Sequence, residues 1–219
     1  MHPGGAWIWI IPFADGVTSV GVVADPPFFE QFPGTDEEVL RAVLAGDPHS
    51  AGRLRDATFL WAPRNLRGYS AAVSRLWGPG YVLVGNATEF LDPVFSSGVT
   101  LALESAMQAA KLVDRALGGE AVDWETEYTA YMSRGIETFR AFVEGWYTGD
   151  FPRILFAPNP SPMVRRQITS VLAGYVWDDN NPFVRTPARR VQQVLNLIDR
   201  AERASPPAPH APADSPGSS

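Results

Sequence analysis

The sequence predicts a mixed α+β chain, with strands toward the amino end and helices toward the carboxyl end. Two β-prone runs, 6–13 and 17–24, flank an Asp15-Gly16 turn signal, which is typical of an antiparallel hairpin. An apolar run, a loop and a helical pattern follow in order over residues 81–119. Apolar residues at helical spacing dominate residues 120–204, so we expect that region to be helical.

Further strands are expected after the hairpin. Residues 58–62 form a strand candidate, and residues 69–76 alternate loosely between polar and apolar side chains. A Gly/Pro turn at 77–80 would return the chain through 81–84. The apolar, β-branched composition of 81–84 is typical of a buried strand.

These patterns divide the chain into segments. Strands within 6–24 and 57–77 are expected to form one antiparallel sheet. In chain order we predict a sheet segment with one short helix, a strand–loop–helix unit, a helical region and a disordered tail: residues 5–80, 81–119, 120–204 and 205–219. The tail is rich in Pro, Ala and Ser and has too few apolar residues to bury a core.

Helix-capping residues and glycines predict where the first two helices begin and end. Thr35 and Glu38 form a capping box for a short helix that ends at Gly46. A longer helix should begin at Ser96 and stop at Gly118-Gly119.

Asp123 is the expected cap of the next helix. That helix carries large apolar residues three or four positions apart: Trp124, Tyr128, Tyr131, Ile136, Phe139, Phe142 and Trp146. Such a stripe is typical of a packing face. A proline-rich connection at 152–162 and amphipathic helices at 163–174 and 187–204 complete the region.

Composition excludes several classes of function. A net charge of −6 and a pI near 5.1, without a basic stripe, argue against a nucleic-acid partner. The chain has no cysteine and three scattered histidines, so neither a disulfide framework nor a metal site is predicted. The longest apolar run is too short to span a bilayer, and we expect a cytoplasmic protein without a membrane partner.

The loop between the strand and helix of residues 81–119 has the composition of a ligand site. Gly85 and Asn86 break the strand, and Asp92-Pro93 imposes an extended turn. Free amides at the start of the following helix can hold an anion, and Gly98 lets a flat ligand approach the backbone. For the glycine alone, an ordinary strand-to-helix turn explains the pattern equally well.

The residues of this loop resemble the second flavin-binding motif of FAD-dependent monooxygenases, and more narrowly of flavin-dependent halogenases. The matching residues are Gly85-Asn86-Ala87 and Asp92-Pro93-Val94-Phe95-Ser96-Ser97-Gly98. The run Trp7-Ile8-Trp9-Ile10-Ile11-Pro12 fits the Trp-x-Trp-x-Ile-Pro signature of the halogenases. Without the resemblance, Trp7 and Trp9 would simply share one packing face of a strand.

The resemblance implies a mechanism and a set of site residues. In the family, reduced FAD from a separate flavin reductase reacts with dioxygen to give a flavin hydroperoxide. Chloride or bromide then yields hypohalous acid, which halogenates an electron-rich aromatic carbon. Carried onto this chain, the cofactor-binding residues are Gly85, Asn86, Asp92, Pro93 and Gly98, the halide-binding amides are those of Ser97 and Gly98, and the flavin-shielding residues are Trp7, Trp9 and Pro12.

The chain departs from the family pattern in several places. It has no Gly-x-Gly-x-x-Gly motif, which the family carries in its amino-terminal half together with a catalytic lysine. Lys111 is the sole lysine and matches no family position, so no catalytic residue is assigned. Asn86 replaces the family aspartate. Phe95 replaces a glutamate of tryptophan-chlorinating members, which favours phenols or carrier-bound aromatics as substrates.

Two functions of different classes fit these observations. The first is a halogenase-like oxidoreductase represented by its carboxyl-terminal half. The chain would then be a truncated gene model, an excised fragment, or a split enzyme with an amino-terminal half on another chain or a second copy as partner. The second is a non-catalytic remnant that serves as a binding or structural subunit. In either case we expect exposed apolar surface where the other half would dock.

Overall fold

A computed structural model describes residues 5–158 and 161–204, so the predicted disordered tail at 205–219 lies outside the described residues. The chain divides into two compact units between Tyr69 and Ser70. Within residues 5–69, the described part of the first unit, lie two strands and three helices: β1 (Trp7–Pro12), β2 (Thr18–Val23), α1 (Pro26–Phe29), α2 (Asp36–Gly46) and α3 (Pro48–Arg53).

The predicted amino-terminal hairpin is confirmed. β1 and β2 are antiparallel, with a register from Trp7 opposite Val23 to Pro12 opposite Thr18. The Asp15 carboxylate accepts a hydrogen bond from the Val17 amide at 3.0 Å and shapes the turn. The alternation of the strand places Trp7 and Trp9 on one face, with ring centroids 5.6 Å apart.

The capping box of α2 is also confirmed. The Glu38 amide donates to the Thr35 hydroxyl at 3.3 Å, and the Thr35 amide donates to the Glu38 carboxylate at 2.7 Å. These reciprocal bonds satisfy two amides that would otherwise lack acceptors at the helix start. The helix contributes Val43 to a small core that includes Ala6 and Phe28.

The second unit is mainly helical. Its elements are β3 (Ala71–Ala72), β4 (Trp77–Gly78), β5 (Tyr81–Val82), β6 (Glu89–Phe90), α4 (Gly98–Leu117), α5 (Tyr131–Tyr147), α6 (Asp150–Leu155), α7 (Pro162–Leu172), α8 (Pro182–Arg185) and α9 (Pro187–Ala204). Helix α5 lies at the centre, because Phe139 and Phe142 are buried in the main core and α4, α6, α8 and α9 all pack against it. No helix in the described ranges is long and apolar enough to cross a membrane.

The strand predictions after the hairpin are partly wrong. Residues 58–62 form no strand, and the sheet expected from 6–24 and 57–77 does not form among the residues that the structure describes. Ala71–Ala72 instead pairs with Glu89–Phe90, which lies within the predicted ligand loop. Short apolar runs carry no information about their partner strand, so the pairing could not be derived from them.

The hairpin predicted between residues 69–76 and 81–84 forms only as a shorter pair of strands, and its first strand is shifted to Trp77–Gly78. Trp77 and Gly78 belong to β4 rather than to the turn and pair with β5. Tyr81 is 51% exposed and Val84 is 39% exposed, so the expected buried strand is a short, partly open one. Leu83 extends the ladder by one bond to the Leu76 carbonyl, at 2.8 Å.

The helix predictions agree with the structure to within a few residues, but α4 begins at Gly98 and not at the predicted Ser96, whose left-handed backbone (φ 53°) cannot belong to the helix. Asp123 accepts a hydrogen bond from the Thr126 amide at 3.1 Å, although this cap precedes a π-helical turn, Glu125–Ala130, before α5 begins. Helix α9 has the predicted bounds, and α7 ends two residues before Gly174. The proline-rich connection differs, because its first part is helix α6.

A close contact fixes α5 against the segment after α7. The Trp177 indole stacks on Tyr131 at 5.3 Å and donates a hydrogen bond to the Tyr131 carbonyl at 2.8 Å. A β-carbon on Gly135 would lie 2.3 Å from the Trp177 ring. The glycine therefore leaves the space that the indole occupies.

Gly135→Ala should destabilise the protein by about 1–3 kcal/mol, because the added methyl group must displace a ring held by two interactions. Gly52→Ala is the matched control, since Gly52 is also helical and a β-carbon there meets no atom within 4 Å. Urea unfolding of the three proteins measures the difference. Equal stability of the two variants would contradict the packing seen at Trp177.

Candidate functional site

The loop between β5 and α4 is folded by its own short-range contacts. Gly85–Ala87 forms a 3₁₀ turn, the β6 strand follows, and Pro93–Phe95 forms a second 3₁₀ turn. Asp92 has the extended backbone (ψ 133°) expected before a proline. Its carboxylate accepts a hydrogen bond from the Val94 amide at 3.0 Å and so caps the second turn.

The start of the loop is attached to α4 by a buried hydroxyl. The Gly85 amide donates to the Ser105 hydroxyl at 2.8 Å, and that hydroxyl donates to the Ala102 carbonyl at 3.0 Å. Gly85 has a positive φ of 58°, a conformation that glycine adopts without steric cost. A β-carbon there would also sit 3.5 Å from the Ala102 side chain.

Helix α5 holds the rest of the loop at three points. Arg140 donates to the Glu89 carboxylate at 2.9 Å, and Tyr147 donates to the Asp92 carboxylate at 2.9 Å. Between them, the Phe95 ring packs edge-on against Trp146 at 5.6 Å. Phe95 also meets two further rings, with centroids at 6.2 and 5.3 Å: Phe142 and Phe151.

The end of the loop carries backbone amides that α4 does not satisfy, although the Ser96 amide donates to the Pro93 carbonyl at 2.9 Å and Ser97 is buried. Ser96 has φ 53°, the sole positive φ outside glycine among the described residues, and Ser97 returns to right-handed helical angles. This alternation directs successive N–H groups to one side. The first α4 bond joins the Leu101 amide to the Ser97 carbonyl at 3.1 Å, and no side chain caps the helix. The amides before Leu101 therefore have no acceptor within the helix.

Gly98 is open to solvent at this helix start. A β-carbon added to Gly98 would meet no atom within 4 Å. Internal packing of the described residues therefore does not require a glycine at this position. An approaching ligand would explain the glycine, and the positive end of α4 favours an anion there.

The remaining predicted site residues occupy different surroundings. Asn86 is exposed in the first 3₁₀ turn, and Pro93 begins the second one. Trp7, Trp9 and Pro12 belong to the first unit, where the Trp9 indole donates to the Ser19 hydroxyl at 3.1 Å.

Gly21 sets the position of the Trp9 ring. Gly21 pairs with Trp9 across the hairpin, and a β-carbon there would lie 2.0 Å from the ring. The strand pattern did not predict that the Trp9 ring needs a glycine opposite it, because Trp9 and Gly21 are not neighbours in sequence.

Four residues that anchor the loop were not predicted: Ser105, Tyr128, Arg140 and Tyr147. The Tyr128 hydroxyl donates to the Leu83 carbonyl at 2.5 Å, two residues before the loop begins. Tyr128 belongs to the predicted aromatic stripe, but a helical period cannot show that its hydroxyl has a distant acceptor. Burial raises the pKa of Tyr128 to about 12.

The tryptophan halogenase family model matches residues 2–150. The chain belongs to the tryptophan halogenase family. A flavoprotein/dehydrogenase structure from Cytophaga hutchinsonii is 48% identical with a TM-score of 0.88, covering 92% of this chain and 50% of that chain.

Two curated relatives add chemical detail. A 1H-pyrrole-2-carbonyl-[peptidyl-carrier protein] brominase of Pseudoalteromonas luteoviolacea is 25% identical, over 78% of this chain and 42% of that protein. A flavin-dependent halogenase of Penicillium aethiopicum is 32% identical, over 57% of this chain and 25% of that protein. The chain thus spans at most half the length of these halogenase-family relatives.

Arg140→Met should destabilise the protein, because it leaves the Glu89 carboxylate, 9% exposed, without its cation. We expect about 1–3 kcal/mol, less than for a fully buried pair because Arg140 itself is 39% exposed. Arg153→Met is the control, since the Arg153 ion pairs lie at the surface and should matter less. Thermal unfolding that ranks the variants in the opposite order would contradict the anchoring role of Arg140.

Stability should fall at alkaline pH through Tyr128. Its folded-state pKa of about 12 exceeds the ordinary value of 10.0, so its contribution is complete below pH 10 and is lost as pH approaches 12. Tyr128→Phe should therefore flatten the decline in urea-unfolding stability between pH 10 and 12, while the exposed-site control Tyr175→Phe should not. Burial also raises the pKa of Tyr131, so the stability of Tyr128→Phe should still decline somewhat with pH in this range. Identical pH profiles for wild type and Tyr128→Phe would refute the assignment.

Proposed function

We propose that this chain forms the flavin- and halide-binding part of an FAD-dependent halogenase. The observation that carries the proposal is the α4 start, where uncapped amides and an open glycine meet. A halide would be held by the amides of Ser97 and Gly98. The flavin would approach over Gly98, where no side chain intervenes.

The other loop residues would take supporting roles. Gly85 and Asn86 would border the ribityl chain, and the exposed Asn86 amide can both donate and accept. Pro93 would lie beside the flavin ring. Asp92 would act mainly by holding the loop in shape, since its carboxylate already accepts hydrogen bonds from Val94 and Tyr147.

The hairpin would shield the flavin. In this proposal Trp7, Trp9 and Pro12 exclude organic substrate from the cofactor, and Trp9 keeps its orientation through Ser19 and Gly21. Bound FAD, reduced by a separate reductase in the cytoplasm, would with dioxygen as the oxidant supply the oxidising chemistry for chloride or bromide. The residues of this chain would bind and orient the flavin and the halide. They would also exclude water and organic substrate from the flavin.

The substrate we propose is an electron-rich aromatic compound, either free or carried on a protein. The printed name of the Pseudoalteromonas relative describes a carrier-bound pyrrole. Phe95 packs among aromatic rings and presents no carboxylate. The catalytic lysine would come from the half of the fold that this chain does not span, since Lys111 lies exposed on α4.

A non-catalytic subunit is the second candidate. Asn86 favours it, because an amide cannot make the charge-assisted hydrogen bond that a carboxylate would make to a ribityl hydroxyl. The same loop geometry would then bind flavin weakly or not at all.

Gly98→Ala tests the proposal directly. The added methyl group meets no protein atom, so folding should be unaffected while ligand approach is blocked. We expect flavin-fluorescence titration to show at least a tenfold loss of FAD affinity, equivalent to about 1.4 kcal/mol. Bromide should alter this signal in the wild-type protein but not in Gly98→Ala, because the same amides are proposed to hold the halide.

Gly52→Ala serves again as the control and should bind FAD like wild type, since a β-carbon at Gly52 also meets no atom within 4 Å. Binding of FAD to Gly98→Ala with wild-type affinity would exclude the α4 start as the site. Failure of wild type and Gly52→Ala alike to bind would show that this chain does not hold the flavin without the half of the fold that it does not span.

A further inference from the structure

The last three helices bring together arginines that are far apart in sequence. Five arginines lie on these helices within residues 161–198: Arg165 and Arg166 of α7, Arg185 of α8, and Arg189 and Arg190 of α9. We call these five residues the arginine patch. Residues 161–198 contain only two acids, Asp178 and Asp179, although the whole chain has a net charge of −6.

Arg190 connects α9 to α7. Its guanidinium donates a hydrogen bond to the Gln167 side chain at 3.2 Å and lies over the Phe183 ring, 5.6 Å from the centroid. The Asn181 side chain adds a second link, since it donates to the Gln167 carbonyl at 2.8 Å. Gln167 and Arg190 each directly follow a patch arginine in sequence. These contacts therefore bring the arginines of α7 and α9 into one region of the surface.

The arginine patch lacks carboxylate partners within the described part of the chain. The arginines of α4, α5 and α6 each pair with a carboxylate: Arg115, Arg134, Arg140 and Arg153. No patch arginine forms such an ion pair with a described residue. The two nearby acids have other partners, because Asp179 pairs with Arg134 at 3.2 Å and Asp178 accepts from the Asn180 amide at 3.0 Å.

The patch is too extended for a single small anion. Neighbouring residues of a helix point about 100° apart, so Arg165 and Arg166 do not converge on one ion, and neither do Arg189 and Arg190. Arg190 is half-buried, and the other four patch arginines are exposed. Like charges that lie close together repel each other, and carboxylates on a bound partner would remove that repulsion.

We propose that the arginine patch is a docking surface for a protein that carries a cluster of carboxylates on its own surface. The arginine guanidinium matches a carboxylate with two parallel hydrogen bonds, and arginine is enriched at protein interfaces. Residues 98–160 of the same unit contain nine acids and five cations, so the sign of the charge reverses within the unit. An acidic partner would be attracted to the patch and repelled by the acidic part, which fixes its orientation.

The same reversal of charge favours a protein over a nucleic acid. A nucleic acid is negatively charged along its whole length and would also meet the acidic part of the unit. A folded protein can present its carboxylates at one place only.

The patch lies about one short helix away from the candidate site. Helix α7 leads from Arg165 toward Gly174, where a β-carbon would lie 3.1 Å from the Thr100 side chain of α4. From Arg165 to Gly174 a helix rises about 14 Å. A docked partner would thus lie near the ligand end of α4, where it is placed to deliver or receive a ligand. That role, unlike the docking itself, rests on the proposed function.

Binding of fluorescein-labelled poly-L-glutamate to the full chain tests the proposal by fluorescence anisotropy. We expect saturable binding that weakens as salt is added, because exposed charges are screened. Arg166→Gln with Arg189→Gln should lower the affinity about fivefold or more, since two charge contacts are removed. Arg190 is left unchanged because it holds α9 against α7.

The control is Arg200→Gln with Arg203→Gln, which removes the same charge from the other end of α9 and should leave the affinity unchanged. All substituted arginines are exposed, so both variants should melt like wild type. Absence of binding to wild type, or equal affinities of the three proteins, would overturn the proposal. In the second case binding would depend on net charge alone.

Other occupants give different results. Patch-dependent binding of single-stranded DNA that is tighter than that of poly-L-glutamate would overturn the proposal in favour of a nucleic acid. Patch-dependent binding to phosphatidylglycerol vesicles in preference to poly-L-glutamate would overturn it in favour of a membrane surface. Self-association of wild type that Arg166→Gln with Arg189→Gln abolishes, measured by sedimentation, would identify a second copy as the occupant and overturn it too.

The docking surface and the flavin site are tested separately. FAD affinity should be the same in wild type and both double variants, because the patch does not touch the ligand loop. Patch-dependent binding of poly-L-glutamate without FAD binding would support the docking surface and refute only the flavin site. FAD binding without binding of poly-L-glutamate would do the reverse.

Discussion

The buried hydroxyl of Ser105 connects the two parts of the ligand loop, because it joins the chain entering the loop to the helix leaving it. It accepts from the Gly85 amide and donates to the Ala102 carbonyl, so both of its hydrogen-bonding functions are used. The Tyr128 hydroxyl adds a second bond just upstream, at Leu83. The backbone conformation at Gly85 follows from this attachment, since the amide must turn toward α4.

Helix α5 determines the other end of the loop by a different combination of forces. An ion pair holds β6, aromatic packing holds Phe95, and a tyrosine hydroxyl holds Asp92. Ser96 adopts its left-handed conformation between these contacts and α4. For a serine that conformation carries a steric cost, and such costs persist only where surrounding contacts impose them.

Local signals predicted much of the fold. The Asp15-Gly16 hairpin, the Thr35 capping box, the Asp123 cap and the bounds of α9 depend on residues close in sequence. The short helices α3 and α8, which the predictions above do not include, also have local signals, since Asp47 and Asn181 cap them before a proline. The pairing of Ala71–Ala72 with Glu89–Phe90 depends on tertiary contacts, which propensity does not encode.

In the candidate site, too, local features were predictable and tertiary contacts were not. Motif positions located the loop, its glycines and the start of α4 within a few residues. Its anchors lie 20 to 55 residues away along the chain, as in the bonds of Gly85 to Ser105 and of Asp92 to Tyr147, and no spacing rule reaches that far.

The aromatic stripe of α5 shows that one helix can both pack the core and hold the ligand loop. Phe139 and Phe142 pack into the core, while Arg140 and Tyr147 of the same helix hold the loop. A helix whose stripe is typical of a packing face therefore also sets the geometry of the loop that leads to the amides at Ser97 and Gly98.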